Sequence, residues 1–221
     1  MGVLQKLRDL RASLGGYNAA LYLADRLALR FTKRVRVYRY YFVAQPVRAP
    51  MLPERWRRNI NVRVFTERSS DLSSLPLDKS VIESRFKQGS VCICAFRQGV
   101  LIGCIWLCRD VYYEDEVYAI FKPVPAQNTA WDFDVYINPE QRGALVFPML
   151  WDSANEWLRT RGVEWSLSRI SAFNTASLAA HRRLEAHTVG AASFLRLGRV
   201  QTGFSTLPPR RASSSPGQLS R

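Results

Sequence analysis

No apolar run in the 221 residues approaches the ~18–20 needed for a membrane-spanning helix. The first 14 residues also lack a continuous hydrophobic stretch. Lys6, Arg8, Asp9 and Arg11 interrupt them, which argues against a secretory leader and for a cytoplasmic protein. No internal repeat is present. Acidic residues are scarce at both ends. Residues 1–68 hold 15 Lys/Arg against 4 Asp/Glu, residues 69–195 hold 12 against 14, and residues 196–221 hold 5 against none. The net charge of +14 therefore sits on the ends, around a near-neutral middle. Basic ends suit an anionic partner, or are simply solvated arginine.

Cysteine is sparse too, at four residues. Cys92 and Cys94 fall on one expected strand and Cys104 and Cys108 on the next. With Gln98-Gly99 as a two-residue turn, Cys94 lies opposite Gly103 and Cys104 opposite Ile93. The two cysteine pairs then project from opposite sheet faces, which disfavours one tetrahedral four-thiolate site and predicts buried free thiols.

What is present is enough for a core: 47% hydrophobic and 12% aromatic residues. Residues 1–55 read as a basic amphipathic extension. Tyr17, Ala20, Leu21, Ala24, Leu27, Ala28 and Phe31 recur at helical spacing, and Tyr40–Val43 reads as a strand. This helix is expected to pack on the domain or on a second subunit, as in a homodimer, or to lie on an anionic membrane through residues 1–40. Nucleic acid is not expected, because single-strand binding needs exposed aromatics and strand aromatics belong in a core. Ala49–Arg58, with Pro50 and Pro53, reads as a linker. A domain over 56–205 follows, and a Pro/Ser/Arg-rich tail over 206–221 is expected to be disordered.

Within that domain the pattern runs strand (Ile60–Phe65), helix (Asp71–Gln88), hairpin (Val91–Leu107), strand (Trp131–Ile137), turn, helix to about Arg161, strand (Val163–Ile170), helix from Asn174, strand (Val189–Leu197). In Trp131–Ile137, strict alternation puts Trp131, Phe133, Val135 and Ile137 on one face, and Asp132, Asp134 and Tyr136 on the other. An acidic loop, Glu114–Glu116, offers attraction for a cation.

Two segments carry a resemblance. Asp134-Val135-Tyr136-Ile137-Asn138-Pro139-Glu140-Gln141-Arg142-Gly143 is similar to the strand and Pro-x-x-Arg-Gly turn of the GNAT superfamily of acyl-CoA-dependent N-acyltransferases. Asn174 to Leu184, with His181 and Arg183 inside it, resembles that family's Asn-x-x-Ala/Ser-x-x-x-Tyr/His-x-Lys/Arg-Leu helix. The likeness covers about 140 residues and implies an α+β (α/β) fold. That fold is a central mixed, mostly antiparallel sheet flanked by helices, here with an N-terminal helix and strand extension.

The resemblance also implies acetyl-CoA, or another acyl-CoA, as co-substrate and a small-molecule or peptide amine as acceptor. Cofactor contacts would come from Ile137, Gln141, Arg142, Gly143, Ala144 and Leu145, together with Asn174 and Ser177. The physics agrees, since successive backbone N–H groups at a helix N-terminus favour a pyrophosphate. Leu145 and Phe147 stand where the family has small residues, and Pro148 is tolerable only within a first helical turn, so the helix should start late.

For the chemistry, Asp132 occupies the family's base position, seven residues before Pro139, with Asp134 as its alternate. His181 occupies the position of the acid that protonates the leaving thiolate. A member that binds CoA or a partner without turnover is one alternative. A basic protein working through its ends is another.

Overall fold

In the computed structural model, residues 2–57, 59–114, 116–141 and 145–214 are described. The elements run α1 (Val3–Leu14), α2 (Gly16–Phe31), β1 (Val35–Pro46), α3 (Glu54–Arg57), β2 (Asn61–Phe65), α4 (Lys79–Lys87), β3 (Val91–Arg97), β4 (Val100–Cys108), β5 (Tyr112–Tyr113) and β6 (Ile120–Phe121). They continue with β7 (Thr129–Ile137), α5 (Val146–Arg159), β8 (Trp165–Ser171), α6 (Thr175–Arg183), β9 (His187–Leu197), β10 (Val200–Ser205) and β11 (Arg211–Ser214). The result is a mixed α/β fold, its paired strands mostly antiparallel, flanked by helices. The chain forms two compact units. One holds Pro46–Tyr112 and Phe121–Leu167, the other Met1–Gln45, Tyr113–Ile120 and Ser168–Arg221.

In the first unit the order β7-β4-β3-β2 is antiparallel throughout. α5 packs on one face because its apolar stripe Leu150, Trp151, Ala154 and Leu158 is wholly buried. Gly103 permits that approach: a Cβ there would stand 2.8 Å from the Tyr136 carbonyl and 3.1 Å from Leu150 Cδ1. α5 starts at Val146, so Pro148 lies in its first turn as expected, and Gly162 at φ 74° follows its end. The opposite face carries aromatics: Phe86 of α4 lies 5.0 Å from Trp106, and Phe133 is stacked 4.0 Å from Tyr112. The expected linker is tied down. Asp152, inside α5 and fully buried, accepts the backbone N–H groups of Met51 and Leu52 at 2.9 and 2.8 Å.

The β3–β4 hairpin corrects the cysteine geometry. Arg97↔Val100 and Phe96↔Leu101 pair as expected, but a bulge between Ala95 and Phe96 shifts the register. Cys94 then faces Cys104, and Cys92 faces Trp106. Cys92, Cys94, Cys104 and Cys108 therefore all project from one face, because a one-residue shift moves a strand's whole side-chain set across the sheet. All four are free and buried. Cys92 and Cys94 sulfurs lie 3.4 Å apart. Hydrogen bonds from Cys104 and then Cys92 pull the Cys94 thiol down to about 5, against burial and helped by the Arg63 charge. Cys92 is pushed up, chiefly by burial.

Reactivity needs access as well as a thiolate. The native chain is expected to show almost no fast reaction with a bulky aromatic disulfide reagent, and four reactive thiols per chain once unfolded. One rapidly modified native thiol at neutral pH would contradict this burial.

The second unit has the order β11-β10-β9-β1-β8. β1 lies between β8 and β9, with Tyr40 opposite Ala192. Residues 35–46 are thus an interior strand of this sheet rather than part of an appended extension. The tail is also more ordered than expected, since β11 pairs with β10 over Arg211–Ser214; residues 215–221 lie outside those described. α2 turns Asn18, Tyr22 and Asp25 inward: Asn18 donates to the Tyr41 hydroxyl, Tyr22 meets Phe173 edge-on, and Asp25 accepts from Arg36 and from the Val37 amide. The expected apolar stripe is not the packed one. Tyr17, Ala20, Ala24, Leu27 and Phe31 are exposed.

Candidate functional site

β7 carries both carboxylates expected at the reaction centre, and it does not alternate cleanly. Trp106 pairs with Phe133 but Cys104 pairs with Tyr136, so Asp134 and Val135 together stand against Ile105. This bulge, with Asp134 at φ 52°, reverses the faces beyond it. Phe133 and Tyr136 share the face of Trp106 and Cys104, while Ile137 turns with Gly103 toward α5. The expectation of Ile137 beside Phe133 is corrected by that one extra residue.

The bulge also separates the two aspartates. Asp132 pairs with Leu107 on the α5 side, is 2% exposed, and accepts a hydrogen bond from the Ser166 hydroxyl at 2.6 Å. The expectation that it shares a solvated face with Asp134 does not hold. Asp134 points to α4 instead, where Arg85 Nη1 donates to its Oδ2 at 2.6 Å. The side chain of Asp134 is 38% exposed and that of Arg85 only 6%. Arg85 is in turn held over Trp106 and Phe133, 5.1 and 5.2 Å from their ring centroids. The buried guanidinium backs one carboxylate oxygen of Asp134, while the exposed part of that side chain can meet a solute. Sequence reasoning did not find Arg85, whose partner lies 49 residues away, nor Ser166.

Beyond β7 the chain enters a 3-10 turn, Pro139–Gln141, where the Gln141 amide donates to the Asn138 carbonyl and the Gln141 side-chain oxygen accepts from Arg97 at 2.7 Å. Arg142, Gly143 and Ala144 lie outside the described residues. Leu145 is half-buried and its carbonyl accepts from Met149, the first hydrogen-bonded turn of α5. Among the described residues, α5 has no side-chain cap and no acidic residue in its first turn. Its opening amides lie at the positive end of the helix dipole. That donor set fits a phosphate dianion. Phe147 itself is half-buried and packs edge-on against Trp151 at 6.4 Å.

The remaining expected residues belong to the other unit, on α6. Asn174 is the N-cap expected from sequence, its Oδ1 accepting from the Ser177 amide at 3.0 Å. His181 is 5% exposed, with Nδ1 2.9 Å from the Ser177 carbonyl, and that contact requires the proton on Nδ1. Ser177 is half-buried. The acidic loop is likewise committed within this unit. Glu114 pairs with Arg169, whose Nε donates to it at 2.9 Å, and Glu116 accepts from the Tyr40 hydroxyl at 2.9 Å. Burial pushes the Tyr40 phenol far up, so it stays a donor. Arg169 also pairs with Glu116, so a cation attracted to this loop would compete with an internal guanidinium.

A family model for the acetyltransferase (GNAT) family matches residues 56–185, more than half of the chain. No curated protein matches the sequence. Among solved structures, the chain is similar to a tandem GNAT protein from the clavulanic acid biosynthesis pathway, without acetyl-CoA. They are 13% identical with a TM-score of 0.52, covering 78% of this chain and 55% of the other. It is also similar to a protein of Novosphingobium aromaticivorans assigned as a GNAT-family acetyltransferase. That pair is 16% identical with a TM-score of 0.50, covering 73% of this chain and 66% of the other. The match thus spans less than two thirds of either relative's length, and at these identities it is a likeness of fold.

Proposed function

The chain belongs to the acetyltransferase (GNAT) family, and on that premise we propose that it moves an acyl group, acetyl in the first instance, from a coenzyme A thioester to an amine. The observation that supports this best is the bulge in β7, which brings a partly exposed, arginine-backed carboxylate to the strand leading into an uncapped helix N-terminus. Coenzyme A supplies the activated acyl group. The chain's own part is to bind the pyrophosphate, hold the thioester along β7 and take a proton from the acceptor. The head of α5 at Val146 forms the phosphate end, with Ile137, Gln141, Arg142, Gly143, Ala144 and Leu145 carried over by resemblance as its other contacts.

Asp134 is the preferred base. An ammonium acceptor must lose a proton before its lone pair attacks the thioester carbon, and Asp134 accepts that proton directly or through one water. Asp132, sealed against Ser166, is assigned to holding β7. The acid for the departing thiolate is open to His181, by resemblance, and Asn174 and Ser177 are carried over as cofactor contacts on the same ground. Burial of His181 and its bond to its own helix favour a positioning role for it.

Titration calorimetry with acetyl-CoA tests the binding half, with saturable heat expected. No heat at millimolar ligand would overturn the assignment. Thiol release with a panel of amines tests the transfer half, and the buried cysteines keep the protein's own background low. The half-buried Leu145 and Phe147 favour a second reading, in which the family site binds without turnover. Saturable binding with no thiol release from any amine would select it.

A further inference from the structure

α2 is folded with its amphipathicity reversed. The arc that packs on its own unit carries Asn18, Tyr22 and Asp25, two of them polar and buried. The opposite arc carries Leu23, Leu27 and Phe31, spaced i, i+4 and i+8, exposed by 42, 57 and 82%. A solvent-facing row of large apolar side chains on a single helix marks an interaction surface rather than chance exposure. α1 adds exposed Leu4 and Leu7. Arg26 and Arg30 flank the row on the helix, and Lys33 and Arg34 follow it.

Charge decides the occupant. Residues 1–34 hold seven Lys/Arg (Lys6, Arg8, Arg11, Arg26, Arg30, Lys33 and Arg34) against two Asp, and Asp25 is already neutralised by Arg36 at 3.0 Å. A second copy meeting this face across a two-fold axis would set like charges against one another. An anionic lipid surface instead attracts the arginines while its acyl layer takes Leu27 and Phe31. We propose that α1–α2 is a peripheral docking surface for a bilayer carrying acidic phospholipids, with the Leu23/Leu27/Phe31 row as its inserted edge. This does not depend on acyl transfer.

The test is vesicle flotation of the full chain, using phosphatidylcholine alone and phosphatidylcholine doped with phosphatidylglycerol. Recovery is expected on the acidic vesicles and at background level on the neutral ones. Leu27→Ser combined with Phe31→Ser should lower apparent affinity for acidic vesicles by at least about tenfold, since both large apolar side chains are withdrawn from the acyl layer. Both side chains are mostly exposed, so circular dichroism should be unchanged. Arg26→Gln with Arg30→Gln should reduce recovery and its dependence on salt. Equal recovery of native and Ser-substituted chains overturns the proposal. So does a concentration-dependent dimer in light scattering that crosslinks through a Leu27→Cys substitution.

Discussion

Asp134→Asn should lower the rate of acyl transfer by about 10²–10⁴-fold, the range for loss of a positioned general base, with little change in thermal stability. Asparagine is nearly isosteric and its side-chain oxygen can still accept from Arg85 at the 2.6 Å position. The bulge, the guanidinium and its stacking on Trp106 and Phe133 therefore survive while the negative charge and basicity are lost. Affinity for acetyl-CoA should be unchanged, because the donors at the head of α5 are untouched. The discriminating comparison is Asp132→Asn, whose carboxylate is engaged by Ser166, and which should alter turnover much less. If Asp134→Asn turns over like the native chain, Asp134 serves only as the counterion of Arg85. If Asp132→Asn is the slower of the two, the assignment of the two aspartates is reversed.

Asp152→Ala should cost about 3 kcal/mol, from two charge-assisted hydrogen bonds and the partial burial of the donors left behind. For a chain of this size that corresponds to a fall of roughly 6–12 °C in the midpoint of thermal unfolding. The carboxylate is fully buried in α5 and both oxygens are committed, one to Met51 N–H and one to Leu52 N–H. Asp152→Asn keeps one acceptor and turns an amide donor on the other N–H, so it should fall between the two. Differential scanning fluorimetry reads all three. A shift within the error of the native midpoint would mean that water replaces the carboxylate at the chain segment it anchors.

Much of the fold was legible because its signals are local. The stripe Leu150, Trp151, Ala154 and Leu158 encodes α5 at helical period and is buried as expected. Gly162 marks its stop, Asn174 its successor's start, and Gln98-Gly99 a hairpin turn. What failed was register and long-range placement. Neither the Ala95/Phe96 bulge nor the Asp134/Val135 bulge has a compositional signature, yet each moves every later side chain to the other face. The cysteines were therefore divided between faces they share, and the two aspartates were put on a face they do not share. Helical period located α2 but not its orientation, because the buried arc is fixed by Asn18–Tyr41 and Asp25–Arg36 contacts rather than by apolar content. The placement of both carboxylates on β7 and the late start of α5 were readable; the arginine beside Asp134 was not.

The position of β1 between β8 and β9 sets the timing of assembly. This strand is made before its partner, and Tyr40 must wait for Ala192, made some 150 residues later, before its ladder can close. Until then a nascent chain carries an unzipped, aromatic-rich edge, a liability for self-association that chaperones would be called on to shield. Trimming the chain before residue 47 to obtain a shorter fragment would therefore remove an inner slat of the sheet, and such a fragment should be recovered from inclusion bodies rather than from the supernatant.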